Sequence, residues 1–268
     1  MIHYITNETR LAEAVKIHQP GDLFKCSDTF IVEGNYEVHG VTFHDMSVIL
    51  WQRHYGKVEG IKPFLKATDC KFVRTKIFGK MPTTPTTWQQ DGLQFGVHAI
   101  DCALYDCNVE EVNYIGFMLE CSTVFGGSFN SCATPKDGYG FGHPLWVDGD
   151  SSISHIINGS FKNNRHCIAS SKDKSGVIVT NCEFSCGQYS KHILDRHGEG
   201  GKGGYGFMVE NCIFNNPNNY AYDFATHVQT PIFRNCTFAR PFGKNGRIGG
   251  VVEKEGLAVY ENCIYLKP

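Results

Sequence analysis

The densest concentration of reactive side chains is the run Lys191-His192-Ile193-Leu194-Asp195-Arg196-His197-Gly198-Glu199-Gly200-Gly201-Lys202. Imidazole, carboxylate, guanidinium and amine groups this close together suit three chemistries. Removing a proton alpha to a carboxylate needs a base and a cation that stabilises the enolate; His192 or His197 fits the first role and Arg196 or Lys202 the second. Hydrolysis of a glycosidic bond needs two carboxylates about 5 to 9.5 Å apart, for which Asp195 and Asp223, or one of them with Glu199, are available. A Ca2+-assisted elimination would use the carboxylates as oxygen ligands. Calcium is the only cofactor this pattern raises, and no dedicated metal site is expected. The competing account is a solvated patch of surface ion pairs, each of small energy.

Whether these groups converge depends on neighbouring segments. The run aligns with His166-Cys167-Ile168-Ala169-Ser170-Ser171 before it and with Tyr220 to His227 after it. One register puts His192 beside His166 and Tyr222, and His197 beside His227; a slip of two residues instead puts Asp195 beside Asp223. Stacked strands lie about 5 Å apart, so either register gathers His192, Asp195, Arg196, His197, Tyr222, Asp223 and His227 on one face, continued by Glu253 and Lys254.

The elements that must position this face come from a repeat: an apolar residue, any residue, Asn or Asp, a small residue, any residue, then Phe. The clearest copies are Val179-Thr180-Asn181-Cys182-Glu183-Phe184, Val209-Glu210-Asn211-Cys212-Ile213-Phe214, Phe233-Arg234-Asn235-Cys236-Thr237-Phe238 and Tyr260-Glu261-Asn262-Cys263-Ile264-Tyr265. Weaker copies put Val41, Cys70, Cys102, Gly127 and Gly159 in the small slot. The nine slots are 23 to 32 residues apart, a solenoid spacing, and the shortest interval is taken as the bare coil. Small slot and Phe are two apart and share a face of a strand. The Asn or Asp before them tolerates the left-handed backbone of a corner. The expectation is an all-β, single-stranded parallel β-helix of about ten coils. A leucine-rich solenoid lacks its Leu-x-x-Leu-x-Leu signature here, and a β-sandwich gives no fixed small-x-aromatic column.

Leu11, Ala14 and Val15 fall at helical spacing, with Thr6 or Asn7 as a cap and Pro20-Gly21 as a stop. This short helix is expected to plug the solenoid, as terminal repeats must be covered. The chain then reads as one domain, 1-268, with an N-terminal cap over 1-22 and coils over 23-268. The stretch Leu11 to Val15, Pro20-Gly21-Asp22, Gly34-Asn35-Tyr36 and Gly40-Val41 resembles the opening of pectate-lyase-like right-handed parallel β-helix proteins. That resemblance implies a right-handed coil and a carbohydrate-binding or carbohydrate-cleaving role, as a polysaccharide lyase or glycoside hydrolase acting on a surface glycan. The same superfamily includes bacteriophage tailspike-like proteins, so a virion protein that binds a host glycan without cleaving it, as a homotrimer, is an alternative, and a structural or host-interaction solenoid is a second. A superfold does not fix activity.

Loop excursions are expected at 81-96, 133-150, 198-204 and 241-249, with a shorter one at 215-219. Trp88 in the first, and Tyr139, His143 and Trp146 in the second, would overhang the coil and bind sugar together with Lys202 and His227; the alternative is that the aromatics pin their own loops. A formal charge of −2 leaves no basic stripe for nucleic acid. No stretch reaches the roughly 18 apolar residues of a membrane span, and the start lacks the pattern of a signal peptide, so a soluble chain without membrane insertion is expected, cytoplasmic as made and virion-associated in the tailspike reading. Twelve cysteines without any Cys-x-x-Cys pair read as reduced core residues.

Overall fold

The computed structural model describes residues 1–51, 60–79, 92–132, 142–149, 152–170, 175–185, 187, 192–196, 206–215, 223–226, 232–239, 250–253 and 259–266, with backbone alone at 192, 196, 206–207, 223–226, 250–253 and 265. The chain winds through three parallel sheets, of eleven, ten and nine strands among the described residues, named A, B and C in the order the chain visits them in each turn. Within each sheet a strand hydrogen-bonds to its counterparts in the adjacent coils. The expected parallel β-helix is therefore present, and it is right-handed.

The helix Glu8–Ile17 caps the first coil. Asn7 is its N-cap, its side chain accepting from the Arg10 amide, and Leu11 and Ala14 are the buried face. Glu8 ties the cap to the coil by accepting from the amides of Glu33 and Gly34 and from the Tyr36 hydroxyl.

The interior is built from columns. In sheet B the rings of Phe129, Phe161, Phe184, Phe214 and Phe238 stack at centroid separations of 4.7, 4.9, 4.9 and 4.9 Å, which matches the spacing of hydrogen-bonded strands. Sheet A carries a second column in which Phe24, Phe43, Phe72, Leu104, Val124, Ile156 and Val179 follow in register. The expected single motif column is two columns. Val41, Cys70 and Cys102 stand at the corner between sheets C and A, whereas Gly127, Gly159, Cys182, Cys212, Cys236 and Cys263 stand at the corner between A and B. From Met46 the true A-to-B series runs through Thr75, Cys107 and Gly127 onward with intervals down to 20 residues, from Cys107 to Gly127, and the first coil, Thr29 to Ser47, takes only 18. Both corners place a left-handed residue before a small buried one, with Asp69 and Asp101 at one and Asp45, Asp106, Asn158, Asn181, Asn211, Asn235 and Asn262 at the other. That shared geometry is why the two were read as one repeat.

The described cysteines are free thiols, buried except for exposed Cys121 and half-buried Cys263. Two expected loop boundaries are corrected. The strand Phe95–Ile100 begins inside 81-96, and the strand His143–Val147 lies inside 133-150. The excursions at 198-204 and 241-249 lie outside the described residues.

Candidate functional site

Sheet C differs from the other two in a way that shapes its outer face. Its register pairs Phe95 with Ile115 and Val97 with Phe117, then Ile115 with His143 and Phe117 with Leu145, then His166 with His192 and Ile168 with Leu194, leaving the intervening residue of each strand unpaired. At this kink two consecutive residues turn inward: Cys167 with Ile168, and Ile193 with Leu194, all belong to the core. The preceding residue is thereby turned outward. Phe95 and Ile115 accordingly form an apolar cluster separate from the core, with Met118 and Trp146 packed on it. Further along the same face the outward column becomes His143 and His166.

These two imidazoles meet Asp195. His143 Nε2 lies 3.2 Å from His166 Nδ1, and His166 Nδ1 lies 2.6 Å from Asp195 Oδ2. The three are 2%, 1% and 0% exposed, so this outer-face cluster is withdrawn from solvent and is no hydrated patch. His143 also sets its ring edge-to-face against Trp146, centroids 4.9 Å apart. Half-buried Arg165 precedes His166; burial pulls its guanidinium below the usual arginine range, opposed by the charge of Asp195. The strand is anchored by buried Asn164, whose Nδ2 donates to the Phe129 carbonyl at 2.6 Å and whose Oδ1 accepts from the Cys132 amide at 3.0 Å.

A second group lies on the same face, closer to the N-terminus. His98 Nε2 is 2.8 Å from Glu120 Oε1, both side chains partly open to solvent. Lys66 is the register neighbour of His98 on one side and Met118 on the other, and Met118 in turn pairs with Trp146. Gly149 packs beside Glu120, where an added methyl would lie 3.1 Å from the Glu120 side chain. Tyr114, in the apolar cluster beside this group, has its hydroxyl pushed up to about 12 by burial, with the charge of Asp148 adding to the effect.

The expected site residues divide three ways. Asp195, His143 and Trp146 come together, but His143 and Trp146 do so from a strand and not from an overhanging loop. His192, Arg196 and Asp223 lie on sheet C strands by backbone position. Of the two expected registers, the one pairing His192 with His166 is observed; the slipped one is overturned, because Asp195 pairs with Ala225 and Asp223 with Gly250. His197, Tyr222, Lys202, His227, Trp88 and Tyr139 lie outside the described residues. Sequence reasoning missed His166 as a site residue, although the alignment had placed it beside His192, and it missed the His98–Glu120 pair, whose 22-residue separation has no local signature.

With three parallel sheets and a capped first coil, the chain has the right-handed parallel β-helix fold. Among solved structures, it is similar to an alginate lyase from Paenibacillus sp. str. FPU-7, at TM-score 0.65 and 15% identity, covering 99% of this chain and 98% of that one. A PL6 family alginate lyase in mutant form superposes at TM-score 0.39 and 12% identity, over 97% of this chain and 40% of that one. No protein-family model matches the chain, and no curated protein matches it by sequence.

Proposed function

We propose that this chain is a polysaccharide lyase that binds an acidic, uronate-containing glycan along the outer face of sheet C. The observation that carries the reading is the His98–Glu120 pair at 2.8 Å with Lys66 in register beside it. A carboxylate on one ring nitrogen orients the imidazole and leaves Nδ1 of His98 as the base, the logic of any base held by a third group. Its task would be to take the proton alpha to the uronate carboxylate. The electron pair then forms a carbon–carbon double bond as the glycosidic C–O bond breaks, and the leaving oxygen takes a proton. Lys66, one strand away at about 4.8 Å, supplies the positive charge that the enolate requires. Trp146 lies two strands beyond His98, about 10 Å along the face, where its ring can meet a neighbouring sugar. The likeness in fold to an alginate lyase over the full length of both chains supports the same substrate class. We further propose that the position of His192, in register with His166, continues the binding face toward the C-terminal coils.

The test is incubation of the purified chain with alginate, pectate and neutral glycans, following near-ultraviolet absorbance and reducing ends separately. Absorbance rising with an acidic glycan, and lost in His98→Ala, is the expected result. Reducing ends without absorbance would make the chain a hydrolase. Binding without either product would leave it an adhesin and overturn the lyase reading.

A further inference from the structure

We infer that His143, His166 and Asp195 form a binding site for a divalent transition-metal ion of the zinc class. The inference is independent of the glycan reading and concerns a different part of the face. One ligand atom from each residue lies within 4.8 Å of the others, and all three residues are buried. They come from three successive coils, so the solenoid itself, and no flexible segment, brings the donors together.

Proton placement argues for an ion at this point. The Gly142 amide lies 3.3 Å from His143 Nδ1. If it donates there, neutral His143 keeps its proton on Nε2 and donates to His166 Nδ1, which then turns a lone pair on the Asp195 carboxylate 2.6 Å away. If His166 Nδ1 carries the proton, it serves both Asp195 and His143, but His143 must then hold its own proton on Nδ1, facing the Gly142 amide. With Asp195 as a carboxylate, neither placement satisfies all three contacts. A cation resolves the crowding at His166, because the three atoms can direct lone pairs at one centre; the long Gly142 contact is the one given up.

The dimensions fit. Two ligands of a tetrahedral zinc at about 2.0–2.1 Å stand about 3.3 Å apart, close to the observed 3.2 Å between the imidazole nitrogens. Asp195 needs to open from 2.6 Å by less than about 1 Å to reach the same edge length from His166, and the His143–Asp195 edge, which lies within 4.8 Å, has to settle near the same value. Two imidazoles and one carboxylate are the donor set of zinc and related ions that keep a coordination position for another ligand. Calcium prefers an all-oxygen shell, so this cluster does not serve the calcium expectation. The charge of Arg165, which burial opposes and Asp195 favours, works against cation binding at this point.

The experiment uses the full chain, stripped with a chelator, titrated with Zn2+ against a chromophoric competitor, with Ca2+ in parallel and metal content measured after gel filtration. One zinc per chain is expected, with no stoichiometric calcium. His166→Ala and Asp195→Asn should weaken zinc at least as much as loss of an outer-shell partner does, roughly 100-fold, and His39→Ala, an exposed histidine elsewhere on sheet C, should not. Should His166→Ala fail to fold, His143→Cys retains a ligand and, with Co2+, should show a sulfur-to-cobalt charge-transfer band. Failure of the unaltered chain to hold stoichiometric zinc, absence of that band in a folded His143→Cys chain, or equal weakening by His39→Ala would overturn the site.

Discussion

Ala169 stands directly between Trp146 and Asp195 in the outer column of sheet C. Its methyl group leaves the space through which the Asp195 carboxylate reaches back to His166 Nδ1. A larger side chain there would close that route.

Ala169 is fully buried, so Ala169→Leu should cost about 1–3 kcal/mol through overpacking and also separate Asp195 from His166. Urea unfolding should show a lower midpoint at unchanged slope. Ala169→Gly should lose only about 0.5–1 kcal/mol from backbone freedom in the strand and keep zinc affinity. Equal zinc affinity in the Leu and Gly variants would show that Ala169 does not govern the contact.

Glu120 acts on the proposed base through orientation. Glu120→Gln preserves size and removes the charge that holds His98 Nε2. Loss of a general base typically removes about 10²–10⁴-fold in rate, so Glu120→Gln should lower kcat by a part of that range, with KM little changed. Lys66→Met should lower kcat as well, because it removes charge stabilisation that strengthens in the transition state. A rise in KM alone in both variants would assign the pair to binding and not to proton transfer.

The coil was legible in the sequence because its corners use a narrow choice of residues. Asn181, Asn211, Asn235 and Asn262 all adopt the left-handed backbone, as their type and spacing suggested. What misled was that Asp101-Cys102 and Asp106-Cys107 satisfy the same local rule at two different corners, since any corner before a packed strand selects the same residues. The site was less legible. Asp195 stood out through its charged neighbours, but His166 opens a largely apolar strand, and only the inward turn of Cys167 and Ile168 directs it outward. His98 and Glu120 pair through coil stacking, which no short-range pattern records.

Burial of the thiols gives the fold an alkaline limit. Desolvation pushes Cys107 and Cys132 from 9.0 up to about 12, and Cys26 likewise, with the charge of Asp45 adding a smaller push. A raised pKa in the folded state means the fold favours the protonated thiol. Stability from this source is therefore fully present below about pH 9 and is lost as pH rises toward 12. Melting temperature should stay level through neutral pH and fall steeply across that window, and replacing Cys107 and Cys132 by Ala should flatten the fall. At pH 8, among the described cysteines, Cys121 should react first with a thiol reagent, since it is exposed.

The corner ladder offers a test of which left-handed positions are set by backbone and which by space. Asn181 has φ 54°, where a residue with an ordinary side chain pays about 1–2 kcal/mol. Asn181→Ala should therefore destabilise by about 1 kcal/mol, the lower end of that range, while Asn181→Gly stays close to neutral because glycine adopts the conformation freely. The same corner two coils toward the N-terminus, at Gly126-Gly127, separates the two causes. Gly126 has φ 73°, and an added methyl would meet only the Asp106 carboxylate oxygen at 2.3 Å, a side-chain end that can rotate away. Gly127 has φ 107°, and there the methyl would lie 2.1 Å from the Cys107 carbonyl oxygen, which is fixed in the ladder to Ser128. Gly126→Asn should thus fold and melt close to the unaltered chain, since Asn occupies this position in later coils. Gly127→Ala should force adjacent coils apart and cost more than the strain at Asn181→Ala, above about 2 kcal/mol. Measured by chemical denaturation, equal losses at Gly126 and Gly127 would show that backbone conformation alone, and not contact with the preceding coil, sets the identity of this corner.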